Sequence, residues 1–268
     1  MSKPVEKAAV GSPAGPAPKA GRFSPRVVAS SAVFTAFVAV ATMAFTLSIP
    51  VTSGYFNVGE IMVYTAALLM GPYVGAFAGG VGSAISDVSL GFGTTYAPGT
   101  LVIKGIEGFI VGYLSSRVLV NLPRSAWRAT TVVLAAIVGG LVLWLGLGYL
   151  GGGYQLSLGF PIGPTANFSF ALPSFFWIIV GGVAFILILV VGFRTDERLG
   201  WTALAVLAGG SEMVLGYFLY ESFVLQLGVV SASGEVPFNI TQAVVGLLVA
   251  VPLVRSIRRV AGRTHATA

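Results

Sequence analysis

Apolar segments too long and too poor in charge to face water run through most of this chain. Charged residues make up 9% of the sequence and hydrophobic residues 56%, whereas a soluble domain carries about 25% charged residues. Most segments approach the ~20 residues that a helix needs to cross a bilayer, and they differ from the ~10-residue alternating strands of a membrane barrel. The sequence therefore predicts an all-α, polytopic membrane helical bundle. The predicted segments are 27–49, 60–70, 73–90, 100–119, 129–150, 174–193, 200–225 and 237–254.

The basic residues predict how this bundle is oriented. If the N-terminus lies inside and all eight segments cross, fourteen of the fifteen Lys and Arg residues fall on the inner side, in agreement with the positive-inside rule. Both termini are therefore predicted to be cytoplasmic. The net charge of +6 comes from these scattered loop residues, so the lipid bilayer explains it and no nucleic-acid partner is expected. The inner residues are Lys3, Lys7, Lys19, Arg22, Arg26, Arg117, Arg124, Arg128, Arg194, Arg198, Arg255, Arg258, Arg259 and Arg263.

Composition also divides the chain into regions. Residues 1–21 are rich in Pro, Ala, Gly and Lys and are predicted to form a disordered cytoplasmic tail, not a signal peptide, because the apolar run that follows is too long. Residues 22–128 hold the first four segments and the main polar site. A transmembrane hairpin follows at 129–198, and its segments are joined by an uncharged Gly/Pro/aromatic loop. The last two core segments occupy 199–260, and 261–268 form a polar tail.

Ionisable residues inside the apolar segments mark the candidate site, because charges at membrane depth are costly and usually functional. Lys104 and Glu107 are three residues apart on one predicted helix and can pair. That pair either fixes the register of the bundle or also contacts a polar ligand. Glu60 begins a short helix, where a carboxylate complements the helix dipole. Together with Asn57 it is interpreted as an edge that faces the ligand.

The other candidates lie near predicted helix ends or deep in a segment. Asp87 ends the third segment and either pairs with Lys104 or contacts the ligand. Glu212 lies deep in the seventh segment, so it must be paired, protonated or bound to a ligand. Asn239 shares a helix face with Gln242, three residues later. Aromatic residues such as Tyr96 either stack on a flat ligand or belong to the interfacial aromatic belt.

Several chemistries are missing from the sequence. There is no Gly-x-x-x-x-Gly-Lys-Ser/Thr loop for ATP, and no His/Cys/acid cluster has zinc spacing. Cysteine is absent and the single histidine, His265, lies in the polar tail, so a Ser-His or Cys-His catalytic pair has no support. The chain is therefore predicted to be neither an enzyme nor a cofactor or metal protein. It has a polar site but no catalytic or ATP-hydrolysing residues that the sequence reveals.

A stretch of small residues on the first segment is a candidate contact surface. Ala32 and Ala36 are one helical turn apart, which makes a small-xxx-small face. Such a face either packs within the bundle or docks another membrane protein.

Taken together, five motifs in the first half of the chain resemble a known family. They are Phe-Asn-Val-Gly-Glu (56–60), Ala-Ala-Leu-Leu-Met-Gly-Pro-Tyr-Val-Gly-Ala (66–76), Gly-Ser-Ala-Ile-Ser-Asp (82–87), Tyr-Ala-Pro-Gly-Thr (96–100) and Ile-Lys-Gly-Ile-Glu-Gly (103–108). Two motifs near the C-terminus, at 216–221 and 235–242, match as well. With them the chain resembles a substrate-binding S component of an energy-coupling factor (ECF) transporter, of the riboflavin-type group.

The resemblance implies a six-helix protein of the prokaryotic plasma membrane that captures a vitamin-like small molecule, such as riboflavin, from outside. It also implies a transmembrane coupling subunit and cytoplasmic ATPase subunits as partners, with docking at Ala32 and Ala36. Under this resemblance six residues become ligand or gate candidates: Asn57, Glu60, Asp87, Lys104, Glu107 and Asn239. With Tyr96 and Glu212 they are the predicted substrate-binding residues. The chain departs from the family at 129–198, where it adds two segments to the six-helix core.

Two other functions stay open at the sequence level. A self-sufficient secondary transporter would be favoured by an inverted repeat, and no second copy of the Asn-Val-Gly-Glu or Lys-Gly-Ile-Glu pattern occurs. In a membrane scaffold protein, the buried acids would pair only with one another and with Lys104.

Overall fold

The computed structural model describes residues 24–49, 54–93, 95–117, 124–148, 153–158, 166–171, 173–194 and 197–264. The predicted tail 1–21 and His265 lie outside these residues. In chain order the described elements are α1 Pro25–Ala44, β1 Phe45–Ile49, β2 Gly54–Asn57, α2 Glu60–Met70, α3 Pro72–Ser89, α4 Ala97–Arg117, α5 Arg124–Gly148, β3 Gly153–Leu158, β4 Ala166–Ala171, α6 Ser174–Arg194, α7 Glu197–Leu219, a π-helical turn Tyr220–Val224, and α8 Val229–Thr264.

Six of these helices form the core. In space α1, α3, α4, α7 and α8 follow one another around the core, and α2 packs on α8 and α1, the last and first of them. Helix α2 also packs on α3 and α4, so this short helix lies inside the ring that its neighbours form. Helices α5 and α6 pack mainly on each other and touch only α7 and α8 of the core. The predicted fold class, an all-α polytopic membrane bundle, is confirmed. That α5 and α6 are an addition to a six-helix core stays a prediction.

The described helices differ in their ability to cross a membrane. Five are long and apolar enough: α1, α5, α6, α7 with its π-helical turn, and α8. Helix α2 is a shorter apolar helix of 11 residues, as its length in the sequence predicts. Many large apolar side chains of the five helices are exposed, among them Phe37, Ile137, Ile179 and Leu215. In a bilayer these side chains contact lipid.

Glycines bring α3 and α4 into backbone contact. A Cβ added at Gly75 would lie 2.8 Å from the carbonyl oxygen of Gly108, and one added at Gly79 would lie 2.7 Å from the carbonyl oxygen of Lys104. Both distances are too short for a real carbon atom. Close backbone approach through small residues is a common way of packing helices in membranes, and here it fixes where α4 places Lys104.

A four-stranded antiparallel sheet covers one end of the bundle, in the order β2-β1-β3-β4. Strand β1 pairs with β2 through Leu47 and Phe56, and with β3 through Thr46 and Ser157. The sequence prediction was wrong here, since it extended the first span to residue 49 and placed a loop at 151–173. Phe-Thr-Leu-Ser-Ile (45–49) alternates apolar and hydroxyl residues, which favours a strand.

The last helix begins earlier than the sequence predicts. Pro237 is a typical first residue of a helix, but α8 starts at Val229 and contains both Pro237 and Pro252. Just before it, α7 ends in the π-helical turn Tyr220–Val224, which buries Glu221. As a result Glu235 and Asn239 lie on one continuous helix that passes the end of α7.

We expect Gly79→Val to destabilise the fold, because the new side chain meets the Lys104 backbone and Val63 and forces α3 away from α4. Overpacking of this kind costs about 1–3 kcal/mol. The midpoint of thermal unfolding in detergent measures the effect.

Gly140→Val is the matched control. Gly140 is also inside a helix, but a Cβ there meets nothing within 4 Å, so its unfolding midpoint should change little. Equal losses in the two variants would show that helix propensity, and not the α3–α4 contact, explains the change.

Candidate ligand-binding site

A small polar cavity lies where α1, β2, α3, α4, α7 and α8 meet, beside the sheet. Its volume is about 30 Å³, roughly the space of one water molecule. In a chain this apolar, so many polar side chains around one cavity are the strongest structural sign of a ligand site. The lining residues are Thr42, Gly54, Tyr55, Asn57, Ser83, Asp87, Tyr96, Thr100, Lys104, Tyr217, Glu235, Asn239 and Gln242.

An ion cluster forms the floor of the cavity. The Lys104 ammonium forms ion pairs with Glu60 Oε2 and with Glu107 Oε2, the latter at 3.1 Å. The exposed fractions of Lys104, Glu60 and Glu107 are 3%, 1% and 0%. Buried charges need partners and hydrogen bonds to be tolerated, and here one cation joins carboxylates from α2 and α4.

Hydrogen bonds extend this cluster to α8 and β2. The Gln242 side chain donates to Glu60 Oε2 at 3.0 Å, and its carbonyl oxygen accepts from the Asn57 backbone N–H at 3.0 Å. The Tyr64 hydroxyl donates to Glu107 Oε1 at 2.9 Å. Four elements therefore share one buried network, and Lys104 reaches the cavity from its centre.

The Asn57 side chain also holds the start of α2. Its amide oxygen accepts from the Gly59 backbone N–H at 2.9 Å, in the manner of residues that terminate helices and turns. Glu60 follows in the first turn, where its charge suits the helix dipole. The Glu60 carboxylate therefore has two structural roles: it complements the dipole of α2, and it pairs with Lys104.

Aromatic rings and Asp87 form one wall of the cavity. The Tyr55 hydroxyl donates to Asp87 Oδ1 at 2.6 Å, and its ring stacks on Phe92 with centroids 4.9 Å apart. Burial, and then the neighbouring Asp87 carboxylate, raise the pKa of the Tyr55 hydroxyl well above its usual value, so it stays a donor. Asp87 Oδ2 is buried without a hydrogen-bond partner among the described residues.

The opposite wall comes from α7 and the start of α4. The Tyr217 hydroxyl donates to Thr100 Oγ1 at 3.0 Å, and the Lys104 ammonium lies 5.8 Å from the centroid of the Tyr217 ring. A cation at that distance from an aromatic face is attracted to it. Tyr217 therefore supports Lys104 and also presents a flat surface beside the cavity.

The outer rim depends on Gly54 and Glu235. A Cβ at Gly54 would lie 2.5 Å and 2.6 Å from the two carboxylate oxygens of Glu235. Only glycine leaves room for α8 to bring this acid against β2. The rim is therefore acidic, which disfavours a ligand with several negative charges.

The structure separates the eight predicted site residues into three groups. Five line the cavity: Asn57, Asp87, Tyr96, Lys104 and Asn239. Glu60 and Glu107 lie behind Lys104 as its ion partners. Glu212 lines no part of the cavity; it is half-buried on α7, where its Oε1 lies beside Gly216. The Asp87 carboxylate accepts a hydrogen bond from Tyr55, and among the described residues it forms no ion pair with Lys104.

The predicted site omitted several lining residues. Thr42, Ser83 and Thr100 are uncharged, and nothing in a single sequence distinguishes them from other hydroxyl residues in membrane helices. Gln242 had a detectable signal, because it lies three residues after Asn239 on one helix face. Tyr64, which contacts the ion cluster, had none.

This arrangement suits binding of a polar, largely uncharged molecule. Lys104 and the amides of Asn239 and Gln242 supply donors, and Thr42 Oγ1 and Asp87 Oδ2 are buried without hydrogen-bond partners in the described structure. No group of three or more His, Asp or Glu residues in the described part of the chain is arranged to hold a metal ion.

Comparison with known proteins gives two matches. A family model described as "ECF-type riboflavin transporter, S component" matches residues 22–160, which include β2 and helices α1 to α5. The chain is also similar to a Pyrococcus woesei protein described as an uncharacterized protein in the gap 3′ region, with 44% identity over 109 residues that cover 41% of this chain and 67% of the relative. No solved structure matches the chain.

We expect Lys104→Met to lower the stability of the protein strongly, because the Glu60 and Glu107 carboxylates would then lie side by side without their cation. Breaking a buried ion pair in this way costs about 3–5 kcal/mol. Thermal unfolding of the detergent-purified protein measures the loss.

A triple variant, Lys104→Met with Glu60→Gln and Glu107→Gln, removes the whole charge cluster and should recover much of the lost stability. If the triple variant is as unstable as Lys104→Met alone, the ion cluster does not account for the effect of the single change.

Proposed function

The chain belongs to the family of S components of ECF-type riboflavin transporters, and on that premise we propose that it captures riboflavin from the outer side of the membrane. S components are membrane subunits that bind a vitamin for uptake and associate with ECF membrane and ATPase modules. The family is one of transport subunits and not of enzymes. Transport driven by separate ATPase subunits agrees with a sequence that has no phosphate-binding loop of its own.

The observation that carries this proposal is the polar cavity with unpartnered acceptors beside aromatic rings. Riboflavin combines a flat ring, whose edge has carbonyl oxygens and an imide N–H, with a chain of hydroxyl groups. Asp87 Oδ2 and Thr42 Oγ1 would accept from its N–H or O–H groups, and Lys104 and Asn239 would donate to its carbonyl oxygens. Tyr96 and Tyr217 would face the ring.

Capture requires the cavity to enlarge. Its present volume of about 30 Å³ is far below the roughly 300 Å³ at which small-molecule pockets begin. The ion cluster behind Lys104 is fully buried and hydrogen-bonded, so it is the less movable side. The Tyr55–Asp87 hydrogen bond and the Tyr55–Phe92 stack hold the other side closed, and ligand entry would separate them.

The orientation follows from the same proposal. The cavity and sheet lie at the end of the bundle opposite Arg194 and Arg255. If that arginine-rich end is cytoplasmic, as the positive-inside rule favours, the cavity faces outward and both termini lie inside.

The small-residue face of α1 is proposed to dock the transmembrane coupling subunit. Ala32 and Ala36 are both exposed on α1, beside the exposed Val33, Phe37 and Val40. They make no contribution to the buried core of this chain, so packing within the bundle does not explain them. A flat apolar face of this kind admits a second membrane helix at close range.

We expect the protein, purified alone in mild detergent, to bind one riboflavin and Asp87→Asn to weaken that binding. The asparagine oxygen can still accept from Tyr55, but its amide group replaces the free acceptor Oδ2 with a donor. A buried hydrogen bond lost in this way costs about 1–3 kcal/mol, which is roughly 5- to 150-fold in affinity. Quenching of riboflavin fluorescence during titration measures the dissociation constant.

Glu197→Gln is the control, because it makes the matching acid-to-amide change at the first residue of α7, at the end of the bundle opposite the cavity. Its affinity should stay within about twofold of the unchanged protein. Equal weakening in both variants would contradict the assigned site. A different vitamin, identified by mass spectrometry in the purified protein, would overturn riboflavin as the substrate but not capture itself.

We expect the double variant Ala32→Leu and Ala36→Leu to prevent co-purification with the coupling subunit while riboflavin affinity stays the same. The added side chains would hold the partner helix away from α1. The control places the same two changes on α5, at the exposed Ala129 and Ala136. Retention of the coupling subunit by the α1 variant would refute this docking surface.

A further inference from the structure

A second cavity lies between the added helical pair and the core, at the arginine-rich end of the bundle. Its volume is about 110 Å³, and its lining side chains are almost all apolar, among them Leu134, Leu187, Leu207 and Val251. It shares no lining residue with the polar cavity beside the sheet. The proposed capture of riboflavin does not use this second cavity.

Trp127 lines this cavity and holds together the helices around it. Its ring is buried, its indole N–H donates to the Gly192 carbonyl oxygen at 2.9 Å, and it leaves no room for a side chain at Gly200. One residue thereby joins α5 to α6 and to the start of α7.

The cavity continues as a groove along α5. A second apolar space of about 570 Å³ adjoins it, and the two share Leu134, Val138 and Leu207. From Trp127 to Leu141 the lining extends over about 20 Å at 1.5 Å per residue. That length exceeds half the ~30 Å thickness of a hydrocarbon core, so one lipid acyl chain fits along it.

The two spaces are too small to enclose a helix, so a partner helix could insert only side chains into them. A helix about 10 Å wide and 20 Å long fills roughly 1,600 Å³, more than twice the volume of either space. A flexible acyl chain is thin enough to enter without separating α5 from α7.

We call the two adjoining spaces together the slot. Three arginines lie close in sequence to lining residues of its first space, at the end of the bundle away from the sheet. Arg128 follows Trp127, Arg194 lies two residues after Gly192, and Arg255 lies one turn after Pro252. Arg128 and Arg194 are exposed and Arg255 is half-buried. None of the three forms an ion pair within the described part of the chain.

We propose that the slot binds an anionic glycerophospholipid, with an acyl chain along α5 and the phosphate at Arg128, Arg194 and Arg255. Basic pockets between membrane helices are suited to acidic headgroups, and guanidinium groups match phosphate geometry. A lipid held there fills the space between the added pair and the core, so it acts as part of the interface. The proposal does not depend on riboflavin binding, because lipid binding is its readout.

Native mass spectrometry of the delipidated full chain tests the proposal. Titrated with dioleoyl phosphatidylglycerol, the protein should retain one lipid at least tenfold more tightly than dioleoyl phosphatidylcholine, which has the same acyl chains and no net charge. Arg128→Gln, Arg194→Gln and Arg255→Gln combined should reduce this preference to below twofold. Arg194→Lys, which keeps the charge, should retain part of it.

Arg26→Gln is the control, since Arg26 is exposed at the start of α1, on a helix that does not pack on α5 or α6. It should leave the preference intact. Ala203→Phe, which puts a ring into the first space, should lower retention of both lipids while size-exclusion behaviour is unchanged. Equal retention of the two lipids by the unchanged protein, or equal loss in Arg26→Gln and Arg194→Gln, would overturn the proposal.

Discussion

The ion cluster of Lys104 with Glu60 and Glu107 is the interaction on which the core depends. A charge at this depth is tolerated only when it is paired and hydrogen-bonded. That requirement brings α2 against α4 through the Lys104–Glu60 ion pair, and α8 against α2 through Gln242. The short helix α2 is therefore held inside the ring by polar contacts as well as by the apolar packing of Tyr64 and Leu68.

The glycines of α3 make the ion cluster possible. Gly75 and Gly79 let the α4 backbone approach α3 closely. At that distance the Lys104 ammonium reaches the Glu60 carboxylate on α2. Larger residues at these positions would move α4 outward and leave the ammonium without its partners. Packing and electrostatics are thus one constraint in this fold: small residues set the distance, and the buried charges fix the register at that distance. The exposed apolar faces of α1, α5 and α6 have no comparable constraint within this chain. Substitutions there should change the free energy of unfolding less.

Sequence reasoning predicted the features that depend on local pattern. Apolar length gave the eight helices, and the Lys104–Glu107 spacing indicated one half of the ion cluster. The pairing of Lys104 with Glu60, 44 residues earlier, depends on how α2 enters the ring and has no local signal. Glu212 was predicted as a site residue from its depth alone, but depth does not show which way a helix is rotated. The strands were missed because β1 continues an apolar helix without a break and pairs with β3, more than a hundred residues later.

That sheet connects the added pair to the cavity. Strand β1 is paired on one side with β2, which carries Tyr55 and Asn57 at the cavity wall, and on the other side with β3, which follows α5. A displacement of β2 large enough to admit a ligand must either break its pairing with β1 or carry β1 and β3 with it. Hydrogen-bonded strands separate at a cost for each unpaired backbone group, so moving the sheet as a unit is the less costly path. Under the proposed ligand capture, the added pair would then move with the sheet, although none of its described residues lines the cavity.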